Sequence, residues 1–276
     1  MINTTILSWT TFIYLASMTF YMVRLIRASE SWGRFATATA ALGFAAHTAG
    51  LIARWIESYS LGIGHAPLSN FYESLIFFAW AVMLMYLIAE WRIKSRSLGV
   101  FVTPIVFLMM VYASLSPNVQ TRIQPLIPAL QSNWLTSHVI ACFIGYSFFA
   151  LAFGLGLMYF TKRIMKDENP ISRFFPRDEA IDELIYNSVA LGFVFLTLGI
   201  VTGAVWAQVA WGRYWSWDPK ETWSLITWFV YAAMLHSRFV LGWRGRRMAI
   251  LSIVGFASVL FTYLGVNYLE SLHSYF

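Results

Sequence analysis

The sequence predicts an all-α polytopic membrane protein of eight transmembrane helices, both termini extracytoplasmic, forming a single integral-membrane domain over residues 1–276. Three observations carry this expectation: a composition poor in charge, eight apolar stretches of spanning length, and a lopsided placement of Lys and Arg. Of the 276 residues, 59% are hydrophobic and only 12% are charged. A soluble domain carries about 25% charged residues, so half the usual supply is missing. Mean hydropathy is +0.62.

A hydrocarbon core of ~30 Å takes about 20 apolar residues in a helix. Stretches at roughly 5–25, 36–56, 71–91, 98–116, 135–160, 187–210, 222–241 and 248–268 meet that length. None alternates in the ~10-residue segments of a membrane β-barrel, so helices must satisfy the backbone inside the lipid. The first stretch lacks a basic leader and has arginines after it, which argues against a cleavable signal peptide. No repeat of convincing period and no low-complexity tract is apparent.

The net charge of +6 would suit a polyanion partner, but its placement points elsewhere. Fifteen of the nineteen Lys and Arg fall in the loops after the first, third, fifth and seventh stretches, from Arg24 through Arg96, Lys162 and Arg177 to Arg247. Only Arg54, Arg122, Arg213 and Lys220 fall on the other face. Positive residues stay on the cytoplasmic side because they resist translocation. The basic pI therefore reflects topology and not nucleic-acid binding. A single cysteine, Cys142, excludes an internal disulfide and any CxxC redox pair. It lies in the fifth stretch, where it reads as a buried structural thiol.

The loop between the sixth and seventh stretches reads WGRYWSWDPKETWSLITW, five tryptophans in eighteen residues from Trp211 to Trp228. Part of it is a helix start: Asp218 as N-cap, Pro219 at the first helical position and Glu221 three residues on, with Lys220 able to pair with either acid. An interfacial aromatic belt accounts for Trp211 and Trp223. It does not require Trp215 and Trp217 directly before the cap. In an extended segment those two side chains project from one side, forming a platform for a planar conjugated ligand.

The histidines sharpen the choice between belt and platform. His138, where the outer loop enters the fifth stretch, and His273, past the end of the eighth, share the face of the tryptophan loop. Two imidazoles beside a platform match a hexacoordinate haem, one on each face of the iron. His47 and His236 lie inside the second and seventh stretches, where an ionisable group is costly and marks either a functional path or a hydrogen bond to a neighbouring helix. Arg54 stands seven residues from His47 on the same helical face and could meet a propionate. In GHAPLSNFYESLIFFAW, Asn70 and Glu73 read as a helix cap and Pro67 as a turn. His65 there is expected to be exposed, as a third outer ligand, a partner contact or neither.

The run WGRYWSWDPKETWSLITWFVYAAMLHSR resembles the tryptophan-rich WWD signature of haem-handling proteins of cytochrome c biogenesis, covering about residues 206–228. GHAPLSNFYESLIFFAW, NWLTSHV and GVNYLESLHSYF look like the CcsA (ResC) branch, the System II cytochrome c synthase. The resemblance runs from about the second stretch to the C-terminus. It implies a transmembrane haem-ligand pair, His47 and His236, and an external pair, His138 and His273, flanking the loop of Trp211, Trp215, Trp217, Asp218 and Trp223. It further implies haem b as the bound substrate, an apocytochrome c bringing CxxCH, a separate CcsB (ResB)-type membrane partner, a thioredoxin-like thiol reductant, and a bacterial cytoplasmic membrane. The expected activity is that of a cytochrome c haem lyase subunit with no nucleophile of its own. A haem exporter without ligase activity, a b-type quinone-linked cytochrome and a non-haem structural subunit are the rival expectations.

Overall fold

The computed structural model describes residues 2–117, 119–165 and 171–269. Among them are eight α-helices: α1 (Ile2–Arg27), α2 (Glu30–Ser60), α3 (Phe71–Ile93), α4 (Gly99–Leu115), α5 (Asn133–Ile164), α6 (Asp178–Trp211), α7 (Pro219–Val240) and α8 (Arg246–Tyr263). No strand occurs among the described residues. The chain is thus an all-helical, polytopic membrane protein. Among the described residues, six segments are long and apolar enough to cross a membrane: α1, α2, α3, α5, α6 and α8 continued to Tyr268. The apolar α4 is shorter, with Pro104 inside it. Lys220, Glu221, His236 and Arg238 dilute the apolar character of α7.

The helices form two compact units, Met1–Pro125 with Met158–Arg177, and Leu126–Leu157 with Asp178–Phe276. In the first, α1 packs along α2 and α4, and α3 packs on α4 and α2. Polar side chains cluster where helices end. Glu90 accepts hydrogen bonds from Tyr21, Tyr86 and Thr37, and Arg24 donates to Glu30 at 2.8 Å. At the opposite helix ends Arg54 pairs with Glu73. In the second unit α6, α7 and α8 pack on one another, and Phe149 of α5 stacks flat on Tyr231 of α7, centroids 3.5 Å apart. Arg238 and the Gly245 amide both meet the Asp182 carboxylate, tying the α7–α8 turn to the start of α6.

The two units repeat one architecture, a periodicity not apparent in the sequence. Helix lengths run 26, 31, 23 and 17 residues from α1 to α4 and 32, 34, 22 and 18 from α5 to α8, the end of α5 belonging to the first unit. A side chain at Gly43 of α2 would strike Tyr14, and one at Gly50 would strike Leu7; at Gly192 and Gly199 of α6 it would strike Phe149 and Cys142. The indole of Trp80 donates to Thr48 (2.8 Å) and stacks on Phe44; that of Trp228 donates to Thr197 (2.9 Å) and lies against Phe193. Each of these tryptophans stands ten residues beyond its helix's capping residue, Asn70 or Asp218, and each cap has its glutamate, Glu73 or Glu221. The shared identities are few and set in connections of unequal length, so the repeat is hidden in the sequence.

Candidate functional site

The second unit's tryptophan loop begins where α6 ends. Asp218 accepts a hydrogen bond from the Lys220 amide at 3.0 Å, Pro219 opens α7, and the capping box with Glu221 is complete. One Glu221 oxygen, Oε2, accepts from the Ser216 amide (2.7 Å), the Ser216 hydroxyl (3.1 Å) and the Asp218 amide (3.3 Å). Trp217 takes φ 60, the left-handed region that a bulky residue avoids. That turn lets the amides on both sides of Trp217 converge on one carboxylate.

This departs from the expectation of an extended segment. Trp215 and Trp217 meet edge to face, centroids 5.7 Å apart and planes at 87°, so they do not form one flat platform. They make a corner: Trp217 is 69% exposed, and the buried Trp215 Nε1 has no hydrogen-bond partner. Trp223 packs on Phe261 of α8 at 4.1 Å. Trp211 sits at the end of α6 against Trp206, centroids 6.2 Å apart.

His138 is seated on α6. Its Nδ1 lies 2.6 Å from the carbonyl oxygen of Gly199. A carbonyl only accepts, so Nδ1 carries the proton that it donates. The imidazole lies nearly parallel to Trp206, planes at 15° and centroids 6.3 Å apart. A side chain at Gly203 would come within 2.5 Å of Nδ1, so the ring occupies the place that glycine leaves. Cys142, one turn along α5, is buried and free, its Sγ 3.7 Å from the same nitrogen. Trp206 in turn donates from Nε1 to the Ala129 carbonyl at 2.8 Å, tying the Pro128–Leu130 turn to α6. A metal-ligating histidine characteristically gives its second ring N–H to a backbone carbonyl, which fixes tautomer and orientation. His138 makes such a bond to a backbone carbonyl through Nδ1.

His273 lies outside the described residues. His236 is on α7 with its side chain exposed. In the first unit, His47 is fully buried: Nδ1 is 3.2 Å from the Tyr14 hydroxyl and Nε2 has no hydrogen-bond partner. Arg54 shares the buried face of α2 with His47, but its carboxylate comes from the chain itself. Its Nε donates to Glu73 at 2.8 Å and Nη1 to the Thr121 carbonyl at 2.9 Å, so an internal carboxylate already pairs with the guanidinium, while Nη2 has no hydrogen-bond partner. His65 is buried and not exposed. Its Nδ1 and Nε2 face the carbonyl oxygens of Ala66 (2.8 Å) and Gln124 (2.9 Å), and Ser58 bonds its backbone on both sides. It staples two loops together, which a sequence cannot reveal. Trp206, Gly199 and Gly203 were not singled out by the sequence; the small residues four apart on α6 were the available signal.

The family described as "Cytochrome C assembly protein" matches residues 68–273, a span holding the tryptophan loop, His138 and His236. The chain is similar to "Cytochrome c biogenesis protein CcsA" of Chlamydomonas reinhardtii, 44% identical over 82% of this chain and 64% of that one, somewhat under two thirds of its length. To the protein of that name from Chlorella vulgaris it is 40% identical over 82% of this chain and 80% of that one, and from Gloeobacter violaceus 39% over 87% and 85%. Among solved structures it shares a fold with "Cytochrome c Heme Lyase CcmF", with TM-score 0.71, 18% identity, and coverage of 95% of this chain and 46% of that one. Taken with the all-helical membrane architecture, these matches place the chain in the CcsA-type family of cytochrome c biogenesis proteins.

Proposed function

We propose that the chain takes haem b as substrate in the membrane and holds it at the outer face for attachment to an apocytochrome c. In this reading all eight helices span a bacterial cytoplasmic membrane with both termini outside, so His138, the tryptophan loop and His273 share the outer face. The whole chain acts as one haem-handling domain built of two units. His47 and His236 take haem within the membrane; His138 and His273 clamp the iron outside, with Trp206, Trp211, Trp215, Trp217 and Trp223 supplying aromatic walls. The observation that carries this is the seat of His138: Nδ1 committed to the Gly199 carbonyl and the ring parallel to Trp206.

The apocytochrome brings two thiols and a histidine in CxxCH. Each S–H adds across one haem vinyl group: sulfur bonds the ring-side carbon, the proton goes to the terminal carbon, and no electrons are transferred overall. The substrate histidine then replaces one of this chain's ligands on iron. The nucleophiles are the substrate's, which suits a chain whose only cysteine is buried. The chain's part is proximity, orientation and control of iron ligation. A CcsB (ResB)-type membrane partner and a thioredoxin-like reductant that keeps the CxxCH thiols reduced complete the scheme.

The test is the visible spectrum of the purified full chain, with and without its partner, followed by covalent haem on a co-expressed CxxCH protein. A low-spin spectrum with thioether formation supports a synthase. Haem without thioether formation favours an exporter, stable redox cycling with quinone a b-type cytochrome, and a colourless protein a structural subunit.

A further inference from the structure

We propose that Tyr14 is a positioning residue for His47, holding the imidazole in the tautomer that offers Nε2 to iron; this rests on the reading of His47 as a haem ligand. Tyr14 and His47 are both fully buried, with the phenol oxygen 3.2 Å from Nδ1 and the rings edge to face at 63°. By geometry Nε2 has no hydrogen-bond partner, and the backbone of Ile76 is the other polar group acting on the ring. A phenol both donates and accepts. With Nε2 uncoordinated, Tyr14 donates to Nδ1 and Nε2 carries the proton. With Nε2 bound to iron, Nδ1 carries the proton and donates to the phenol oxygen. One hydroxyl therefore pairs Nδ1 in both states, accepting from it or donating to it as the tautomer requires.

The repeat supplies an internal control. Tyr14 packs where a side chain at Gly43 would stand, and Phe149 packs at the corresponding Gly192. His47 follows Gly43 by one helical turn; the residue one turn after Gly192 is Leu196. The second unit lacks both hydroxyl and imidazole there and has an aromatic ring against the glycine. Packing of this architecture accepts phenylalanine at that position. The hydroxyl stands only where there is a histidine to receive it.

The experiment uses the full chain carrying His138→Ala, so that the outer site is removed and inner haem is read alone. Added Tyr14→Phe should leave protein levels unchanged, weaken haem retention about 10–100-fold, and raise the haem reduction potential, because Nδ1–H loses its acceptor and the imidazole becomes a weaker donor. Phe149→Tyr should change neither. A haem that depends on His47 but keeps its affinity and potential in Tyr14→Phe overturns the role of Tyr14 alone. A haem that survives His47→Ala overturns the ligand reading and the role of Tyr14 with it. A Tyr14→Phe chain that fails to accumulate marks the hydroxyl as structural and also overturns the proposal.

Discussion

His138 of α5 donates from Nδ1 to the carbonyl of Gly199 on α6, 2.6 Å away, and its ring fills the space left by Gly203. The seat of His138, the proposed haem ligand, is therefore a helix–helix contact and not a loop feature. Gly203→Ala places a carbon 2.5 Å from Nδ1 and must displace the ring. Because orienting groups of this kind are worth 10–100-fold in metal affinity, Gly203→Ala should lower outer-site haem by about that factor. Haem-to-protein ratio in the purified variant, with the membrane level checked alongside, measures it.

Arg54 and Glu73 form an ion pair with side chains 1% and 0% exposed. Breaking a buried pair by removing one partner costs about 3–5 kcal/mol, because the other charge is stranded. Arg54→Ala should therefore collapse protein level or thermal stability in detergent. The double replacement Arg54→Met with Glu73→Leu should recover much of the loss. Normal stability in Arg54→Ala, accompanied by selective haem loss, would instead mark Arg54 as a propionate contact.

The tryptophan loop separates capping from ligand contact. Asparagine caps nearly as well as aspartate, and loss of an N-cap to alanine costs about 1 kcal/mol. Asp218→Asn should fold normally and Asp218→Ala should lose about that much. Glu221→Ala removes the acceptor shared by Ser216 and Asp218 and should release the loop, with lower maturation. Trp215→Ala and Trp217→Ala spare the cap. They should reach the membrane at normal level yet lose haem and cytochrome maturation; under a simple interfacial belt, Trp215→Phe and Trp217→Phe would be harmless.

Topology has its own test. A reporter active only outside the cytoplasm should be active when inserted within the Pro128–Leu130 turn and silent within residues 171–176. Opposite signals would move His138 and the tryptophan loop to the cytoplasmic face together.

Helix positions were legible from apolar length alone, and the caps at Asn70 and Asp218 from residue type and spacing, because both are local. The long-range partners were not. Glu73 reads as a capping acid, yet its second oxygen takes Arg54 from a different helix. His65 reads as an exposed loop residue until Gln124 is brought to it by folding. The flat pair of tryptophans failed because the shared Glu221 acceptor turns the backbone at Trp217, a conformation that strand alternation cannot anticipate. The internal repeat shows itself only through contacts, such as Trp80 with Thr48 and Trp228 with Thr197.

The central claim is that His138 presents haem to the substrate. Its most direct measurement is covalent haem on a co-expressed CxxCH cytochrome, read with the haem-to-protein ratio of the full chain carrying His138→Ala, with and without added imidazole. The account predicts normal protein level, depleted haem and little covalent product, with imidazole partly restoring both by filling the vacated position on iron. Full haem loading and full maturation in His138→Ala would contradict it.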